Sequence, residues 1–74
     1  MNIEAYNLSR SAWETLIDEW IFNERNRMII KRRLLDGICY EPLAEEFDLS
    51  VRQVQNIIYR EQNKILHKIE KMQA

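Results

Sequence analysis

The chain has 74 residues, 46% of them apolar and 31% charged, with a mean hydropathy of −0.50 and a net charge of −1 at pH 7. At this length roughly 60% of the unfolded surface is buried on folding, which allows one modest core and no two-walled enzyme cleft. One Gly, one Pro and one Cys speak against a Gly-rich phosphate loop, a disulfide framework and a multi-cysteine metal site.

Residues 1–8 read as a loose lead-in. Trp13, Leu16, Ile17, Trp20 and Ile21 then recur at the spacing of one helix face, which predicts an amphipathic first helix. Two start signals compete: Ser11 with Glu14 as a capping box, or Ser9 as the cap with Leu8 stapled to Trp13. Burial habits place both tryptophans in the core rather than on a ligand platform. Asn23 is a good N-cap for a second helix, so Phe22-Asn23 reads as a corner. Ile29, Ile30 and Leu34 form the inner face of that helix, and Gly37 sits where a left-handed terminator belongs.

A short third helix has Pro42 near its start and Leu43, Ala44 and Phe47 on its apolar side. The fourth has the clearest start: Ser50 and Gln53 make a capping box, with Leu49 and Val54 at the staple positions. Val54, Ile57 and Ile58 point inward, and the pattern runs on through Ile65, Leu66 and Ile69 towards Met72. Ile58, Ile65 and Met72 recur every seven residues, with Leu66 and Ile69 widening the stripe. So small a domain has little core left to cover this tail, which predicts a homodimer through Ile58, Ile65, Leu66, Ile69 and Met72, the alternative being that the first helix or the lead-in folds over the stripe. The expected core is Trp13, Leu16, Ile17, Trp20, Ile30, Leu34, Leu43, Phe47, Leu49, Val54 and Ile57.

Charge is segregated along the chain. Residues 1–24 are net −4, residues 25–35 are +5, residues 36–49 are −5 and residues 50–74 are +3. A basic face can therefore meet a polyanion on a slightly acidic protein, although solvated helix faces give the same pattern. The cluster Arg25, Arg27, Lys31, Arg32 and Arg33 projects to several sides of its helix. With one His and one Cys, no catalytic or metal-binding constellation forms, and no cofactor is expected. Cys39 reads as a small residue leading into the third helix, and His67 as an exposed helix residue. No signal peptide or membrane span is visible, which points to a cytoplasmic protein.

The third and fourth helices, separated only by Asp48-Leu49-Ser50, read as a helix-turn-helix. Ala44 lets the helices approach and Leu49 plugs the turn. The outer face of the fourth helix carries Arg52, Gln53, Gln55, Asn56, Tyr59, Arg60 and Asn63. These residue types read base edges and hold phosphates: an amide pairs with adenine, Arg with guanine.

From about Leu16 to Ile69 the chain resembles region four of bacterial sigma factors and, more broadly, the LuxR-like helix-turn-helix domains. The resemblance is carried by Asn23-Glu24-Arg25-Asn26-Arg27, Leu35-Asp36-Gly37-Ile38, Tyr40-Glu41-Pro42-Leu43-Ala44-Glu45-Glu46-Phe47, Asp48-Leu49-Ser50 and Val51-Arg52-Gln53-Val54-Gln55-Asn56-Ile57. It implies that the helix starting at Ser50 enters the major groove of double-stranded DNA, with Val51, Arg52, Gln53, Gln55 and Asn56 reading bases. Ser50 and Arg60 then match positions near phosphates, and Lys64 and Arg33 are added as phosphate contacts. Asp48 stands at a turn position often filled by Gly, and Val51 where a charged residue is common. Other sigma regions have no counterpart here, which fits a small phage or mobile-element regulator better than a sigma factor.

The expectation is thus an all-α, four-helix domain spanning residues 1–74, with a helix-turn-helix at about 41–63 and a helical extension at about 64–72. It would regulate transcription by binding DNA. The competing reading is a protein-interaction module on the same fold, docking on RNA polymerase or a phage protein. Its support is the pI near 5.8 and the acidic block at 36–48 beside the DNA face. An enzyme has no support.

Overall fold

The computed structural model describes the backbone of residues 8–73 and the side chains of residues 8–71. The lead-in before Leu8 and the side chain of Met72 lie outside the described residues. The described chain is all-α: α1 (Arg10–Trp20), α2 (Glu24–Leu34), α3 (Tyr40–Phe47) and α4 (Val51–Gln73), with no strand among the described residues.

Local chemistry sets most of the boundaries. Ser9, not Ser11, caps α1: its Oγ accepts from the Ala12 N–H at 3.1 Å, and Leu8 packs on the core beside it. Asn23 caps α2 by accepting from the Asn26 N–H at 3.0 Å, so the chain breaks at 21–23 instead of running on as one helix. Arg27 reaches back across this corner. Its Nε donates to the Ile21 carbonyl at 3.1 Å and its Nη2 to the Phe22 carbonyl at 3.4 Å, satisfying acceptors at the end of α1.

Gly37 lies beyond the C-cap of α2 with φ +70°, in the left-handed region. A Cβ there would meet nothing within 4 Å, so replacement strains only the backbone. Gly37→Ala is expected to lower stability by about 1 kcal/mol, the left-handed penalty less the gain from a stiffer unfolded chain. A thermal melt should show the midpoint falling by roughly 4–8 °C.

All four helices share one core. Trp13, Leu16, Ile17, Ile21, Ile29, Ile30, Leu43, Ala44, Val54, Ile57, Ile58, Ile65 and Ile69 are buried in a single cluster. Four residues expected at its centre, Trp20, Leu34, Phe47 and Leu49, are only partly buried and pack at its margin. Their place is taken by the tail of α4. Ile58, Ile65 and Ile69 are 2%, 0% and 2% exposed within the single chain, because α1 and α2 both lie along α4. These three residues are therefore not a dimer surface. Leu66, the remaining described member of the proposed stripe, is half-buried. Over two or three turns a seven-residue repeat and an ordinary inward helix face have the same spacing.

Candidate nucleic-acid interface

The site is built on the turn between α3 and α4. Asp48 takes the left-handed conformation at φ 55°, a place where Asp is tolerated because its side chain is short and polar. The Leu49 N–H then donates to the Ala44 carbonyl at 2.9 Å, closing the end of α3. Leu49 turns onto the core cluster that contains fully buried Val54, as the staple spacing requires. The capping box is complete in both directions: the Gln53 N–H donates to Ser50 Oγ at 3.1 Å, and the Ser50 N–H donates to Gln53 Oε1 at 2.9 Å. These bonds define where α4 begins and so which residues occupy its first two turns.

Arg52 and Asn56 are exposed there and Gln55 is half-buried, and none of the three side chains makes a hydrogen bond or ion pair among the described residues. Gln53 is exposed but engaged in the capping box, as is the hydroxyl of Ser50. Val51 is half-buried against the core, so it offers less surface than a base-reading role implies. Arg60 and Lys64 are exposed further along α4. Both pair with Glu61, at 3.4 and 3.6 Å, whose own carboxylate is buried against the fold. Lys64 stands twelve residues from Arg52, about 18 Å along the axis, well beyond the roughly 12 Å width of a major groove.

Arg33 is placed elsewhere. Its Nη1 donates to the Ile38 carbonyl at 3.2 Å, and its guanidinium lies 4.4 Å from the ring centroid of Tyr40. It clamps the chain between α2 and α3 instead of standing free for a phosphate. Most of the basic cluster is likewise committed to partners on other elements, Arg25 excepted. Lys31 pairs with Asp18 at 2.7 Å, with Arg27 also nearby at 3.9 Å, and Arg32 pairs with Glu46 at 2.7 Å. Arg25 donates to Asn26 Oδ1. Arg10 closes the circuit, bonding Asp36 and the Leu35 carbonyl. The hydrogen bond and the charge of Asp36 push the Arg10 pKa further up, so it stays charged.

The alternating charge blocks thus hold successive helices to one another. Two members of the acidic block, Asp36 and Glu46, are neutralised internally, which leaves Glu41 exposed at the start of α3 and Glu45 and Asp48 exposed near the turn. Cys39 is free and exposed, and no group of three His, Cys, Asp or Glu among the described residues is placed to hold a metal ion. No described helix is long and apolar enough to cross a membrane.

A second feature was not read from the sequence. The corner after α1 and the later turns of α4 border a groove of about 590 Å³ whose walls include Trp20, Phe22 and Lys68. Phe22 had been assigned only to a corner, and nothing in its neighbours shows which way a corner residue faces. No family model, curated protein or solved structure matches the chain.

Proposed function

We propose that this chain is a DNA-binding transcriptional regulator whose α3, turn and α4 act as a helix-turn-helix, with the start of α4 in the major groove. The observation that carries this reading is the free, exposed pair Arg52 and Asn56 on a helix start fixed by the Ser50–Gln53 capping box. Arg and Asn at such a position match the hydrogen-bonding edges of guanine and adenine. A groove-docked helix brings its first turns to the bases. Gln55 supports the same face from its margin, Gln53 presents its outward NH₂, and Arg60 follows two turns on as a phosphate contact. The internal pairing of Asp36 and Glu46 removes part of the repulsion that the acidic block would exert on DNA.

The test is selection from a pool of random duplexes, followed by titration of the winner at several salt concentrations. A recurring motif is expected, with affinity falling steeply as salt rises. Absence of any enriched motif, or binding unaffected by sequence and salt, would overturn the reading. Protein docking on RNA polymerase or a phage protein is the second reading, favoured by the exposed acids Glu41 at the start of α3 and Glu45 and Asp48 beside the turn. It predicts that charge reversal at Arg52 abolishes capture of the protein partner while no duplex is selected.

A further inference from the structure

The groove beside Trp20 and Phe22 lies further along α4 than Arg52 and Asn56, with Arg60 bordering both. Phe22 is 84% exposed, so it contributes almost nothing to the core. Its backbone is nonetheless held in place: Asn23 caps the next helix, and Arg27 binds the carbonyls of both Ile21 and Phe22. A large apolar side chain fixed outward beside a concave surface is the form of an anchor site. The groove volume of about 590 Å³ falls in the range of ligand sites.

Its charge is one-sided. Arg60, Lys64 and Lys68 line it beside His67, and no Asp or Glu among the described residues does. Lys68 lies 4.4 Å from the Trp20 ring centroid, which joins the cationic wall to the aromatic floor. Glu61 offsets part of the charge of Arg60 and Lys64 from inside the fold, leaving Lys68 without an acidic partner among the described residues.

We infer that this groove docks an acidic amphipathic peptide segment of a partner protein, with a large apolar side chain on Trp20 and Phe22 and carboxylates against Lys64 and Lys68. Duplex DNA fits less well, since a phosphate backbone would leave the aromatic floor unmatched. A second copy could offer only the acids left outside internal ion pairs, among them Glu41, Glu45 and Asp48, and it is an outcome of the test below. Helix-in-groove recognition of this kind takes its affinity from the apolar anchor and its selectivity from the charged rim.

The inference stands apart from the DNA reading, because Lys64 and Lys68 lie eight residues or more, about 12 Å, beyond Asn56 along α4, and Arg60, which borders both regions, is left out of its variants. The probe is a displayed library of random 16-residue peptides, selected on the full chain. The enriched peptides are expected to combine Asp or Glu with Trp, Phe or Leu. A synthesised winner should shift amide resonances at 22 and 60–68. Phe22→Ser and the pair Lys64→Glu, Lys68→Glu should each weaken it at least tenfold, while Arg52→Ala and Asn56→Ala leave it unchanged. Phe22→Ser is exposed and should melt like wild type, which separates lost docking from lost folding. No enrichment, winners without acidic residues, or affinity indifferent to the Lys64 and Lys68 reversals would overturn the inference. So would a wild-type dimer in sedimentation that Phe22→Ser converts to monomer, since the occupant would then be a second copy.

Discussion

Ile65→Asp is expected to unfold the protein. Ile65 is wholly buried among residues of the single core, so the substitution removes an apolar side chain and places a carboxylate where no cation is waiting. Loss of the Ile packing alone costs about 2–5 kcal/mol, and the buried charge adds several more unless it stays protonated. A domain of this length has roughly 4–11 kcal/mol in total. Far-ultraviolet circular dichroism and a two-dimensional amide spectrum should both report a collapsed or unfolded chain. The contrast with an interchain stripe is sharp. Were Ile65 a dimer contact, the variant would be a well-folded monomer with a normal melt, and the packing described for α4 would be wrong.

The second large effect concerns DNA. On a duplex selected by the wild-type chain, Asn56→Ala should lose about 1–3 kcal/mol of affinity and relax discrimination at one base pair, with stability unchanged because the side chain is exposed and unbonded. Arg52→Ala should behave similarly at its own base. Arg60→Ala should weaken all sequences alike and lower the salt slope by about one unit. Binding curves on matched and mismatched duplexes separate the two classes. If the Asn56 variant binds the selected duplex as well as wild type does, α4 does not read that base through Asn56.

What the sequence made legible was local. Ser9, Asn23 and the Ser50–Gln53 box act within three residues of themselves, so their consequences can be read from neighbours along the chain. Val54, Ile57 and Leu43 were placed inward by the same short-range periodicity. What stayed hidden depends on elements distant in sequence. Whether Ile58, Ile65 and Ile69 face a second chain or their own depends on α1 and α2 lying along α4, which no window of α4 reveals. Arg33 and its neighbours looked available because their partners, Ile38, Tyr40, Asp18 and Glu46, are set by how α2 packs. Within the candidate site, Arg52, Gln55 and Asn56 were legible as an outward face, while the engagement of Gln53 was legible only as a cap. The groove at Phe22 gave no signal at all, since a lone aromatic residue in a corner has the same sequence whether it turns in or out.

The capping box also restricts the hydrogen-bond polarity of the residue it employs. The backbone N–H of Ser50 can only donate, so the oxygen of the Gln53 side chain must be the atom that meets it, and the NH₂ is left outward. Facing a duplex, Gln53 is then a pure donor. The two-handed pairing of an amide with adenine, one bond given and one received, is closed to it. It selects for acceptors, the O6 and N7 of guanine, the N7 of adenine or the O4 of thymine, and against cytosine. Gln53→Glu keeps the box, because a carboxylate still accepts from Ser50, but it replaces the outward donor with an acceptor. That single-atom exchange should leave the melt unchanged while moving the preferred base at one position towards cytosine, whose N4 donates.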